Sequence, residues 1–248
     1  MVIQSPLDDV EFLLRDLIVL HGDAEYVATT LWIAHTFGIP AFDFSPRLAI
    51  WSPEKRCGKS LLLEIVGNLN ANSRMTSSIT SAALFRSIAQ DETRLVLIDE
   101  SDSIFGKAGP SEKSEDLRAV INQGYKRGSV ITRCDKNSLE VKDFLIFSPV
   151  ALAGIGISAI PETIADRAVV IEMRRKLKNQ KIREYESDEI ESVFGVVRDN
   201  LAKWVQSNFD ELRKCRPVLP TELNSRARDI WKPLFKIAYM AGDEWINK

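Results

Sequence analysis

The stretch Arg47-Leu48-Ala49-Ile50-Trp51-Ser52-Pro53-Glu54-Lys55-Arg56-Cys57-Gly58-Lys59-Ser60-Leu61-Leu62-Leu63-Glu64-Ile65-Val66 decides how the rest of the chain is read. After Pro46, the short apolar run that ends at Trp51 reads as a buried strand, and Leu61 to Val66 reads as a helix. Between them Gly58-Lys59-Ser60 closes a loop at the helix start. Backbone N–H groups there aim at an anion, the helix terminus favours negative charge, and a lysine with a hydroxyl suits phosphates and magnesium. Pro53, Glu54, Lys55, Arg56, Cys57, Gly58, Lys59, Ser60 and Leu61 are therefore the candidate cradle for a nucleoside triphosphate. Pro53 departs from the general G-x-x-x-x-G-K-[ST] pattern, standing where the first glycine belongs. Its φ of about −65° permits a turn but no left-handed backbone. A chance Gly-Lys-Ser at a helix start is the competing reading.

A second stretch weighs against chance. Leu95-Val96-Leu97-Ile98 is an apolar strand running into Asp99-Glu100-Ser101-Asp102. A triphosphate hydrolase of this type needs a carboxylate at the end of a neighbouring strand to hold magnesium together with the loop hydroxyl. A glutamate beside it polarises the attacking water. Asp99, with Ser60, fits the metal role and Glu100 the water role; a solvated strand end is the blander alternative. Charge developing on the γ-phosphate also needs a cation. Arg167, in Ile164-Ala165-Asp166-Arg167 before the last strand, is the candidate, against a plain salt bridge with Asp166 or Glu172. Lys59, Glu100 and Arg167 thus form the expected catalytic set. Arg226 and Arg228, on a helix after Asn224, are further candidates to reach phosphate, against an exposed helix face.

Basic residues gather at Lys126 and Arg127 and again at Arg133 and Lys136, the latter around Asp135-Lys136-Asn137 between Val130-Ile131-Thr132 and Leu139-Glu140-Val141. That is a hairpin pattern. A cation at its tip can track a phosphodiester backbone without reading bases; a solvated turn is the alternative. The cluster Arg174-Arg175-Lys176 with Lys178, Lys181 and Arg183 precedes the acidic Glu184 to Glu191 and reads as a linker or subunit contact. Cys57 reads as a small filler, His21 and His35 receive no role, and the five tryptophans fall mostly on apolar faces.

Working outward, 33 Lys+Arg against 35 Asp+Glu give a net charge of −2, with 45% hydrophobic and 27% charged residues among 248. Disorder, collagen and disulfide scaffolds are excluded, and any nucleic-acid contact must be a local patch. Three separated cysteines without zinc spacing point to a reducing, cytoplasmic setting. The start, Met1 to Pro6, lacks the marks of a secretory signal. The longest uncharged run, Tyr26 to Phe42, contains His35 and the Gly38-Ile39-Pro40 break, so no membrane span is expected. Helical spacing marks 8–20, 24–37, 81–89 and 115–125, and buried strands are expected at 149–154 and 169–173. One long amphipathic helix should carry Ile190 to Leu212, and Asn224 should cap another running to Tyr239. The chain therefore divides into a helical front (1–44), an α/β core with a parallel sheet (45–176) and a helical tail (177–248) that closes over the nucleotide.

Four stretches carry a family resemblance: Leu31 to Thr36, Arg47 to Ser60, Pro149 to Gly156 and Asn224 to Trp231. They resemble the P-loop ATPase domain of unknown function found in actinobacterial, phage and plasmid proteins, often behind a primase-polymerase domain. Pro53 is usual in that family. The resemblance implies an AAA+-like P-loop NTPase related to superfamily 3 and minichromosome-maintenance helicases, working as a homo-oligomer, a hexameric ring with ATP and Mg2+ between subunits. By that likeness Lys59 and Ser60 hold phosphates and metal, Asp99 and Glu100 form the acid pair, and Arg167 acts on the neighbouring subunit's nucleotide. Arg226 would be the second arginine sensor, the C-terminal helices a lid, and the Lys136 hairpin a pore loop gripping single-stranded DNA. One departure is the end of the strand before Arg167, where such helicases place a polar sensor and this chain has Gly154-Ile155-Gly156, with Ser158 the nearest hydroxyl. The function expected is an ATP-dependent DNA helicase or translocase of phage or mobile-element replication. An ATP-driven regulatory or defence ATPase acting on protein, and a nucleotide kinase, are the alternatives.

Overall fold

Apolar residues alternating to both faces make a strand that must be covered on both sides, and the sheet of this protein is built from such strands. The computed structural model describes residues 5–106, 111–134, 140–184 and 187–248. Its strands are β1 (Arg47–Ser52), β2 (Ser73–Thr76), β3 (Leu95–Ile98), β4 (Val130–Cys134), β5 (Val141–Leu145), β6 (Val150–Ile155) and β7 (Ala168–Glu172). The helices are α1 (Pro6–Leu17), α2 (Asp23–Thr36), α3 (Lys59–Asn68), α4 (Ser81–Gln90), α5 (Ser101–Phe105), α6 (Glu112–Gln123), α7 (Glu162–Ala165), α8 (Ser187–Ser207), α9 (Phe209–Lys214), α10 (Ser225–Ala241) and α11 (Asp243–Ile246). No helix is long and apolar enough to cross a membrane among the described residues.

Five strands form one parallel sheet in the order β2-β3-β6-β1-β7, and β4 and β5 pair separately as an antiparallel ribbon. This is an α/β, Rossmann-like core. Leu48 and Ile50 of β1, Leu95 and Leu97 of β3, and Ala151 and Ala153 of β6 face one apolar cluster. Ala49, Val96, Ile98, Val150 and Leu152 face the other. The first cluster takes in α3, and the second takes in α4, α6 and α7. Right-handed crossovers demand this split, because the chain moves one way across the sheet after β1 and the other way after β6. Neighbouring strands β1 and β6 therefore send their connections to opposite faces, which opens a crevice beyond their carboxyl ends.

The helical front and tail are not separate bodies on either side of the sheet. Residues of α1, α2, α8 and α10 share the cluster that covers α3. Trp245 donates to Asp8, and Lys248 reaches Glu11 at 2.8 Å. The helices of the tail therefore dock on the front helices, whereas a tail closing over the nucleotide was expected. The expected single helix from Ile190 to Leu212 is interrupted at Asn208, where α8 ends and α9 begins. Asn208 Nδ2 donates to the Trp204 carbonyl, a local bond that competes with helix continuation.

Candidate functional site

The loop between β1 and α3 is held by its own backbone. Arg56 and Gly58 both adopt positive φ, 65° and 84°, and Gly58 caps α3 with no side-chain hydrogen bond. The amino end of the helix thus keeps its first-turn N–H groups open to an anion. Lys59 is only 8% exposed. Its ammonium donates to Ser52 Oγ at 2.6 Å and to the Glu54 carbonyl at 3.4 Å, and among the described residues it has no carboxylate partner. A buried cation resting on neutral acceptors is undercompensated, and that is the state an anionic ligand relieves. The Cys57 thiol is buried over the Glu54 and Lys55 carbonyls at 3.4 and 3.7 Å, the filler its sequence position suggested. Pro53, Glu54, Lys55, Arg56 and Ser60 are exposed, and Leu61 is half-buried.

Across the crevice, β3 ends at Ile98 and delivers Asp99 and Glu100. The strand lies two places from β1, with β6 between, so the acids and the loop stand ~10 Å apart at the backbone. Glu100 has φ 53° and ψ 38°, and its N–H is held by Asp99 Oδ1 at 2.8 Å. Among the described residues, Arg56 and Glu100 are the only non-glycine residues with positive φ. Strained backbone concentrates where function over-determines it, and both instances flank this crevice. Behind the acids, Asp102 Oδ1 accepts the Ile155 N–H at 3.0 Å, locking the end of β6 to α5. Gly154 is needed there, for a Cβ would lie 2.4 Å from Ser101 Oγ. The end of β6 is thus filled by Ser101 and Asp102; Ser158 is exposed. Ser52 and Asp102 are the members of this site that sequence reasoning passed over. Both sit inside the stretches it quoted, yet neither belongs to a phosphate-loop pattern.

Arg167 is elsewhere. Its carbonyl accepts the Arg47 N–H at 2.9 Å, at the amino end of β1, and Ser52 lies five residues on, ~16 Å up the strand. The competing reading, an ion pair of Arg167 with Asp166 or Glu172, is not seen among the described residues. Asp166 pairs with Arg226 at 3.0 Å and Glu172 with Arg174 at 3.3 Å, while Arg167 donates to the Thr163 carbonyl and stands over the Tyr125 ring. Arg167 Nε and Arg226 Nη1 are both buried without a hydrogen-bond partner. Arg226, expected as a second arginine sensor reaching phosphate, is therefore placed with Arg167 at the amino ends of the strands. Arg228 is turned to the Pro220 carbonyl. Beneath them Arg47 is 1% exposed and donates to the Ile121 and Ser148 carbonyls. Burial, with Arg167 nearby, pulls its pKa down to about 9.

Among the described residues, those expected to grip DNA are put to different uses. Arg127 donates to the Phe42 and Ile39 carbonyls at 2.8 and 2.6 Å and lies over Phe147, so it ties the chain internally. Arg133 is half-exposed, 3.6 Å from Asp116 and over the Phe85 ring. Lys126 is exposed, and Lys136 lies outside the described residues. The ribbon of β4 and β5 lays Ile131 and Phe144 on α4 and turns Val130, Val141 and Leu145 outward.

A family described as a protein of unknown function (DUF3631) matches residues 172–248, from the last residue of β7 to the end. The chain is similar to it over that tail, and the phosphate loop and the acid pair lie outside the match. No curated protein matches the chain.

Proposed function

We propose that this chain is a P-loop ATPase of the AAA+-like type, binding Mg-ATP at the loop 53–61 and hydrolysing it with Glu100. The observation that carries this reading is the Lys59 ammonium, buried at an uncapped helix start without a carboxylate, opposite Asp99 and Glu100. On binding, Lys59 would leave Ser52 and the Glu54 carbonyl for phosphate oxygens, and the open N–H groups of α3 would take others. Ser60 and Asp99 are hard oxygen donors of the kind magnesium accepts, and among the described residues no group of three metal-ligating side chains stands together. The ion would then be shared with the substrate, the usual arrangement for Mg2+ on nucleotides, where it offsets phosphate charge. Glu100 would orient the attacking water. Arg167 is too far from its own loop to help there, so it would serve the nucleotide of a neighbouring copy, with Arg226 beside it.

Calorimetry with Mg-ATP tests this directly. Binding by the parent and its loss, at least ~100-fold, in Lys59→Ala is expected, since a charge-assisted contact to phosphate disappears. An unresponsive parent, or a variant that binds equally well, refutes the site.

The finer reading is a ring that translocates on single-stranded DNA, and it rests on the family resemblance and on the far-edge position of Arg167. A second reading, a ring acting on protein, is favoured by the outward Val130, Val141 and Leu145 of the ribbon and by the internal use of Arg127. ATPase rates with and without single-stranded DNA separate the two: stimulation supports the first, indifference the second.

A further inference from the structure

After β7, residues 173–183 run as a strap from the end of β1 to the end of α1, anchored at both ends. Met173 N–H donates to the Trp51 carbonyl at the end of β1. Arg183 N–H donates to the Asp16 carbonyl near the end of α1, and its guanidinium pairs with the Asp16 carboxylate at 2.7 Å. The connection from α1 to α2 starts at that point, and Ile18 there lies against Gly58, 2.8 Å from where a Cβ would sit. Strap and connection enclose a cavity of about 250 Å³ lined by Val19, Leu20, His21, Leu177 and Gln180, with Arg174 and Arg175. Arg175 also belongs to the phosphate loop, donating to the Lys55 carbonyl at 3.3 Å and pairing with Glu54 at 3.2 Å. The cavity and the phosphate cradle therefore share a wall.

We infer that this cavity is the seat of the nucleobase, an inference that rests on the proposed phosphate site. Its chemistry suits a flat heteroaromatic ring. Leu177, 63% exposed, and the half-buried Val19 offer aliphatic surface. The His21 ring is exposed and available to stack. The strap keeps its shape by a tight turn in which Gln180 Oε1 accepts the Leu177 N–H at 2.7 Å, leaving the amide NH2 of Gln180 as a donor. On the facing wall Leu20 N–H is taken by Tyr26, whereas the N–H and C=O of Val19 have no partner among the described residues. A base edge, which carries donors and acceptors side by side, can use both. Arg175, which lines the cavity and is held to the loop at Lys55 and Glu54, would meet the sugar and its first phosphate.

The test compares Mg-ATP with magnesium tripolyphosphate, which has the phosphates and no base, by calorimetry on the full chain. Stacking and burial of one base should make ATP bind ~10-fold or more tighter than tripolyphosphate in the parent. Leu177→Ser and Gln180→Ala, both at the strap, should erase most of that advantage and leave tripolyphosphate affinity unchanged. Equal affinities for the two ligands in the parent, or variants that keep the full advantage, overturn the base site and leave the phosphate site standing. If neither ligand binds the parent, both fall together.

Discussion

The two edges of the sheet handle charge in opposite ways. At the carboxyl ends of the strands, Lys59 rests on neutral oxygens, the start of α3 is uncapped, and Arg56 and Glu100 hold left-handed backbone. At the amino ends, Arg47 and Arg127 spend their forks on the carbonyls of Ile121, Ser148, Phe42 and Ile39, and Asp166 is taken by Arg226. The first edge lacks a charged partner for its lysine and the second is mostly closed, although Arg167 Nε and Arg226 Nη1 are buried there without a hydrogen-bond partner among the described residues. On the proposed reading, the Lys59 ammonium at the carboxyl ends awaits a ligand, whereas Arg47 and Arg127 at the amino ends serve the fold. The exceptions at the amino edge make sense if that edge abuts the open edge of a second copy.

The largest expected effect comes from that juxtaposition. Arg167→Ala should lower ATP turnover by ~10³-fold or more, the scale of a missing arginine finger. Its binding of Mg-ATP should stay near the parent's, because its own loop is untouched. Mixing Arg167→Ala with inactive Lys59→Ala should restore turnover, since one supplies an intact loop and the other an intact arginine. A mixture as inactive as its components would mean that the two edges never meet.

Much of the open edge was legible because it is local. Strand, Gly58-Lys59-Ser60 and helix follow one another without interruption, and Asp99-Glu100 follows four apolar residues. Period and adjacency reveal such features, and β6, β7, α4, α6 and the β4-β5 ribbon emerge by the same reasoning. The closed edge was not legible, because nothing in Tyr125-Lys126-Arg127-Gly128 tells whether a guanidinium faces solvent or caps the carbonyls of Ile39 and Phe42, far away in sequence. Likewise the apolar face of α8 and α10 announces burial without naming what it buries against, so a tail that docks on α1 and α2 reads like a lid. Strand β2, Ser73-Arg74-Met75-Thr76, escaped notice because an edge strand needs little apolar material. Strand order is equally non-local, and with it the distance between Arg167 and the loop.

A smaller effect probes the closed edge itself. Arg47→Met keeps the bulk of the side chain and removes every donor to Ile121 and Ser148, orphaning carbonyls at the end of α6 and the approach to β6. Unsatisfied buried acceptors cost about 1–3 kcal/mol each, partly offset by no longer burying a charge, so a net loss of about 2–4 kcal/mol is expected. Urea midpoints read it. An unchanged midpoint would show that this arginine is dispensable to the fold and would blur the contrast between the edges.

The smallest effect is a pH dependence, also at the closed edge. His35 is fully buried, with Nδ1 3.1 Å from the Trp32 carbonyl and Nε2 3.1 Å from Ser45 Oγ. Burial pushes its pKa down from 6.5 to about 4, the hydrogen bond to Trp32 opposes this, and the Arg47 charge adds to the fall. Between those two values the unfolded chain binds a proton that the native state refuses. Stability from this group is therefore complete above pH ~6.5 and declines as the pH drops toward ~4, by about 1.4 kcal/mol per unit. Going from pH 7.5 to pH 5 should cost the parent about 2 kcal/mol beyond what His35→Gln loses, because glutamine takes no proton and carboxylate effects cancel in the comparison. Equal acid losses in the two proteins would show that His35 is protonated in the native state, and with it that the closed edge tolerates a second buried charge beside Arg47.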